Sequence, residues 1–79
     1  MIRLEILTPT WSRIIDDAEA VFLPGTECPF EVLPQHAPII STLSEGDVRW
    51  RVDGSEESLH VKTGVVRLKN DRIQVCVEV

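Results

Sequence analysis

Apolar and polar residues alternate with period two along most of this chain. A β-strand is the element whose side chains change face at every residue, so the pattern demands strands. Ile2, Leu4 and Ile6 alternate with Arg3 and Glu5. Val48, Trp50 and Val52 alternate with Arg49 and Arg51, and Leu59 and Val61 with Ser58, His60 and Lys62. Val66 and Leu68 alternate with Arg67 and Lys69, and Ile73, Val75, Val77 and Val79 with Gln74, Cys76 and Glu78.

Two turns test this reading by register. Asp53-Gly54 is a strong two-residue hairpin signal, because both positions tolerate positive φ. It predicts Val52 opposite Ser55, Arg51 opposite Glu56, Arg49 opposite Ser58 and Val48 opposite Leu59. Apolar then meets apolar, and a slip by one residue would carry Leu59 to the arginine face. Asn70-Asp71 is a weaker turn without the glycine. It predicts Leu68 opposite Ile73 and Val66 opposite Val75, with Lys69 beside Arg72 as a minor repulsion at the solvated end. The two turns agree on an antiparallel all-β fold.

One segment dissents. Ile14, Ile15, Ala18, Val21 and Phe22 fall at helical spacing, Ser12 could cap such a helix, and Pro24 would end it. The alternative is two short strands bent at Asp16-Asp17. The pattern alone slightly favours the helix. Elsewhere Pro9, Pro24, Pro29, Pro34 and Pro38 divide the first half too finely for a long helix.

Seventy-nine residues make one domain, spanning 1–79. With 43% apolar and 27% charged residues the composition is globular, which excludes disorder. Eight bases against thirteen acids give a net charge of −5. Nucleic acid needs a basic footprint, so it is excluded as a partner, and anionic membranes should repel the chain. The net negative charge concentrates in residues 1–40, where two bases and six acids give −4, against −1 from six bases and seven acids in residues 41–79. That half is the better face for a basic partner, unless it is simply a solvated surface. No apolar run approaches the ~18 residues that cross a bilayer, and the start lacks a signal peptide's apolar block. The expectation is an intracellular protein in which Cys28 and Cys76 are free thiols rather than a disulfide.

Catalytic chemistry finds no support. Cys28, His36, His60 and Cys76 are scattered singly, without the close spacing of a zinc site. No serine lies in a nucleophile elbow, and no glycine-rich loop could hold a phosphate. Cys28 with His36 could be drawn as a dyad, but nothing orients the histidine. The expectation is a non-enzyme without metal or cofactor. The stretch from Leu23 to Ile39 stands out instead, being dense in proline and acidic. It suits either a rigid docking loop or the protection of a sheet edge.

Several motifs resemble a known family. Leu23-Pro24-Gly25, Val32-Leu33-Pro34, His36-Ala37-Pro38-Ile39, Leu43 and Gly46 look like the epsilon subunit of F-type ATP synthases. The opening Arg3-Leu4-Glu5-Ile6-Leu7-Thr8-Pro9 and the end, from Gly64-Val65-Val66 to Asn70-Asp71-Arg72-Ile73-Gln74-Val75, fit the same family. The chain departs from it at Cys28, Glu31 and Gln35, where the family usually has glycine. At Thr63-Gly64 the family usually has a glycine pair.

The resemblance implies a flattened antiparallel β-sandwich of about ten short strands, and strands rather than a helix over 12–24. It implies a non-catalytic central-stalk subunit that links gamma to the c-ring and couples proton flow to ATP synthesis. The location implied is the cytoplasmic side of the cell inner membrane, peripheral, within the ATP synthase complex. The loop Glu27, Cys28, Pro29, Phe30 and Glu31 would face the c-ring, with Phe30 either a docking anchor or core. Thr8, His36 and Ser41 would lie toward gamma. The family's C-terminal helix pair has no counterpart in these residues. The competing reading is a free-standing acidic β-sandwich that binds a protein or small ligand.

Overall fold

The computed structural model describes residues 1–79 and contains nine strands and no helix. They are β1 (Ile2–Leu7), β2 (Ser12–Ala18), β3 (Ala20–Leu23), β4 (Phe30–Val32), β5 (Ile39–Leu43), β6 (Gly46–Val52), β7 (Ser55–Val61), β8 (Thr63–Lys69) and β9 (Arg72–Glu78). One sheet runs β2-β1-β9-β8-β5 and the other β4-β3-β6-β7. Their inner faces meet as a sandwich. All neighbours are antiparallel except β1 and β9, which are parallel.

Both hairpins form in the register that the turns dictate. Arg51 faces Glu56 and Val48 faces Leu59 across β6–β7, and Leu68 faces Ile73 and Val66 faces Val75 across β8–β9. Asn70 and Asp71 adopt φ of 51° and 59°, so two residues that tolerate the left-handed region supply the turn without glycine.

The helix suggested by the spacing over 12–24 does not form. Ile2 pairs with Ala18 and Leu4 with Ile15, so β2 carries one residue more than β1 between these pairs. This is a β-bulge, and Asp16 and Asp17 together stand opposite Arg3. The extra residue turns a spacing of two into one of three, which puts buried Ile15 and Ala18 at a helix-like interval. The chain then changes sheet at a single residue, Glu19, whose N–H donates to Arg51 O at 2.8 Å. The break therefore lies at Glu19, not at Asp16-Asp17. A second one-residue corner at Lys62 joins β7 to β8, and its N–H donates to Glu78 O at 2.7 Å.

Seventeen buried residues form one core cluster, with contributions from both sheets. Ile2, Leu4, Ile6, Ile73 and Val75 come from the centre of the five-stranded sheet, and Val21, Val48 and Trp50 come from the other. No buried side-chain polar atom lacks a partner, so the interior carries no desolvation penalty that needs a ligand to relieve it.

Candidate docking surfaces

The 24–29 loop is built as a rigid projection. Its stem is tied to β5 and to the β5–β6 turn: Thr26 N donates to Thr42 O at 3.0 Å, Ser44 N to Pro24 O at 2.8 Å, and Gly25 bridges to Leu43. The Thr26 and Thr42 hydroxyls meet at 2.7 Å. Beyond this stem, Glu27, Cys28 and Pro29 form the exposed tip. Phe30 opens β4, is half-buried and packs against the core, so its ring is an internal wedge more than an outward anchor. Glu31 points outward on the four-stranded sheet, in a cross-strand row with Phe22 and Arg49. Arg49 lies over the Phe22 ring at 4.6 Å and pairs with Glu56 at 2.9 Å. Neither Glu27 nor Glu31 joins any ion pair, so both charges are open to solvent.

The same end of the sandwich carries a clasped histidine. His60 faces Asp47 across β6–β7, and its Nδ1 lies 2.9 Å from Asp47 Oδ1. Its Nε2 lies 3.1 Å from Glu45 Oε2, in the β5–β6 turn. The hydrogen bond to Asp47, then that to Glu45, raises the His60 pKa above its ordinary value. The alternation with Leu59 and Val61 puts His60 on the polar face of its strand, which agrees with its exposure but gives no sign of this clasp.

Thr8, His36 and Ser41 are not brought together. Thr8 closes the β1–β2 turn: its hydroxyl donates to Trp11 O at 2.8 Å and accepts from Trp11 N at 3.0 Å. His36 lies at the opposite end of the five-stranded sheet. Its loop is moored to the β8–β9 turn by the Gln35 N–H, which donates to Asp71 Oδ1 at 2.6 Å. Ser41 sits half-buried in the middle of the edge strand β5, and its hydroxyl donates to Thr42 O at 3.1 Å.

The potential soft ligands are equally dispersed. Cys28 is at the loop tip, Cys76 on the outer face of the five-stranded sheet, and His60 on the other sheet. Both cysteines are free and exposed. No group of three or more His, Cys, Asp or Glu side chains is placed to hold a metal ion.

Sequence reasoning missed how the outer face of the five-stranded sheet is organised. Arg3, Arg72 and Lys69 stand side by side across β1, β9 and β8, and Leu7, Cys76 and Val65 do the same four residues away along each strand. The parallel pairing of β1 with β9 creates both rows. A chain read strand by strand gives no signal for that pairing, apart from the noted proximity of Lys69 and Arg72.

Comparison with known proteins accounts for the whole architecture. The family model described as ATP synthase, Delta/Epsilon chain, beta-sandwich domain matches residues 1–79. An ATP synthase epsilon chain of Sulfurovum sp. (strain NBC37-1) is 37% identical over 79 residues, covering 99% of this chain and 62% of the relative. Another, of Campylobacter fetus subsp. fetus (strain 82-40), is 38% identical over 78 residues, covering 98% and 60%. The chain thus spans about three-fifths of the length of these curated relatives. Among solved structures, a chain of the Tetrahymena thermophila mitochondrial ATP synthase central stalk/c-ring superposes with a TM-score of 0.84. It is 13% identical, with 99% of this chain and 63% of that one covered. A chain of the Euglena gracilis mitochondrial ATP synthase OSCP/F1/c-ring assembly gives 0.88 at 14% identity, covering 96% and 49%. At such identities the structural likeness establishes the shared fold, while the match along every residue from 1 to 79 establishes descent: the chain belongs to the family of ATP synthase Delta/Epsilon chain beta-sandwich domains.

Proposed function

We propose that this chain is the sandwich portion of a central-stalk subunit of a proton-translocating F-type ATP synthase. In this reading it is non-catalytic. It links gamma to the c-ring, peripherally on the cytoplasmic side of the cell inner membrane, so that proton-driven rotation reaches the catalytic head. The observation that carries the reading is the family match along all 79 residues, in company with relatives named as epsilon chains. The structure supports it physically. Torque transfer needs a stiff body, and a two-sheet sandwich with one continuous core resists shear better than a loosely packed chain.

The tip Glu27, Cys28, Pro29, with Phe30 and Glu31 behind it, is proposed to face the c-ring. An unpaired carboxylate at the tip of a tethered loop, with a second on β4 behind it, steers toward basic groups, and the fixed stem lowers the ordering cost of docking. Thr8, His36 and Ser41 are proposed to lie toward gamma. Their separation means that gamma would have to span the length of the sheet to reach all three. Reconstitution of epsilon-depleted ATP synthase with a Glu27→Lys, Glu31→Lys double variant tests the reading. Folding should survive, because both carboxylates are exposed and unpaired. Assembly and coupling should weaken, most clearly at low salt. Wild-type coupling by the folded double variant at low salt would remove the loop from the ring contact.

A further inference from the structure

His60 on β7 stands between two carboxylates, with Nδ1 2.9 Å from Asp47 Oδ1 and Nε2 3.1 Å from Glu45 Oε2. A carboxylate only accepts, so both contacts are hydrogen bonds only when both imidazole nitrogens carry protons. The neutral imidazole has one N–H, and its other nitrogen then turns a lone pair toward an anion. One arm must therefore open on deprotonation. Asp47 is fixed directly across β6–β7, in register with His60. Glu45 lies in the β5–β6 turn, outside any strand, so it is the arm with freedom to leave. All three side chains are more than half exposed, so the change reaches water without disturbing the core.

The turn that carries Glu45 also holds the stem of the 24–29 loop. Ser44 N donates to Pro24 O at 2.8 Å, Thr26 N to Thr42 O at 3.0 Å, and Gly25 bridges to Leu43. Gly46 approaches the stem so closely that an added Cβ would lie 2.8 Å from Pro24 Cβ. Asp47, the fixed arm, lines the hollow beneath the loop together with Pro29, Phe30 and Glu31. Of the other charged groups on neighbouring elements, Arg49 on β6 is engaged with Glu56 at 2.9 Å. Glu31 on β4 and Lys62 at the β7–β8 corner make no ion pair with His60 or its two carboxylates. β3 carries no titratable side chain.

We infer that His60, Asp47 and Glu45 form a proton-operated strap that sets the rigidity of the 24–29 loop. With His60 protonated, Glu45 is held against the four-stranded sheet and the turn braces the loop stem. As His60 loses its proton the Glu45 arm opens, the brace slackens, and the tip at Glu27, Cys28 and Pro29 gains freedom. A looser loop bears a larger ordering cost when it docks, so a partner of the tip is held more firmly at acid pH. The strap follows from contacts within this chain, and only its meaning for the c-ring contact rests on the stalk reading.

Amide exchange of the isotope-labelled chain, measured by NMR on both sides of the His60 titration and expressed as protection factors, tests the strap. No partner is present, so the outcome is independent of the stalk reading. Protection at Thr26 and Ser44 should fall about two- to fivefold as His60 loses its proton. The Trp11 amide, in the β1–β2 turn, should not follow. Glu45→Gln supplies an amide that can accept from the imidazolium and donate to the neutral imidazole, so it should abolish the pH dependence. His60→Gln should abolish it too, by removing the titrating group, and both variants should fold because both side chains are exposed. Equal protection at Thr26 and Ser44 on both sides of the titration, a dependence that survives in His60→Gln, or an equal fall at Trp11 would each overturn the inference.

Discussion

The indole N–H of Trp50 donates to Glu57 Oε2 at 3.1 Å, and the same oxygen accepts from Arg13 Nη2 at 3.0 Å. Trp50 is a core residue of the four-stranded sheet, whereas Arg13 belongs to the edge of the other. One carboxylate thus ties the two sheets together along their open side, and Arg13 also lies over the Trp50 ring at 5.6 Å. Glu57→Ala should cost about 1 kcal/mol, because water can replace a half-exposed acceptor. Trp50→Ala should cost about 3–5 kcal/mol through the cavity it leaves. Urea denaturation in a Trp11→Phe background measures both by a single indole signal for the first and by circular dichroism for the second.

Gly64 and Gly54 should fail differently when changed to alanine. A Cβ on Gly64 would lie 2.7 Å from Cys76 O and 2.6 Å from Val77 Cγ1, so the central strand must shift. A loss of about 1–3 kcal/mol is expected. A Cβ on Gly54 would meet nothing, but φ is +76°, so the cost there is backbone strain of about 1 kcal/mol. Asparagine tolerates that conformation, so Gly54→Asn should recover most of the loss while Gly64→Asn should not. Thermal melts of the four variants check the split.

His60 should give the pH response. Its folded pKa is raised, first by the Asp47 hydrogen bond and then by that to Glu45. The stabilisation is therefore fully present below the unfolded value near 6.5 and is lost as pH rises through the folded value. Titration of the imidazole resonances should place its midpoint above 6.5. Asp47→Asn should lower it more than Glu45→Gln. A midpoint unmoved by Asp47→Asn would show that the clasp does not persist in solution.

Asp71 should control the 33–38 loop. Its carboxylate receives the Gln35 N–H at 2.6 Å, and its own φ is +59°. Asp71→Ala loses the bond and adds strain, for about 1–3 kcal/mol in all. Asp71→Asn keeps an acceptor and the backbone tolerance, so it should be nearly neutral. Hydrogen exchange at the Gln35 amide should accelerate in the alanine variant and hardly change in the asparagine one.

Strands with strict alternation were legible because one face of each is buried and a turn fixed the register, as at Val48 and Leu59. The 12–24 segment was not, because the bulge at Asp16-Asp17 and the corner at Glu19 imitate helical spacing. Only the family resemblance pointed to strands there. The loop from Glu27 to Glu31 was legible as an exposed acidic feature, although Phe30 proved to pack inward. Gln35 adopts φ of +68°, a backbone conformation that favours glycine and that the alternation of apolar and polar residues does not signal. The row of Arg3, Arg72 and Lys69 was hidden because Arg3 and Arg72 meet only through the parallel pairing of β1 with β9.

That pairing also governs how the molecule can be made. β9 is the middle strand of its sheet, with β1 on one side and β8 on the other. Until residues 72–76 have left the ribosome, β1 with β2 and β8 with β5 are two separate ribbons, each with an unpaired inner edge. Closing the five-stranded sheet must therefore await β9, and the loop closed runs from Arg3 to Arg72. A nascent chain stalled before Arg72 would expose two apolar strand edges at once, which makes it the species for a chaperone to hold.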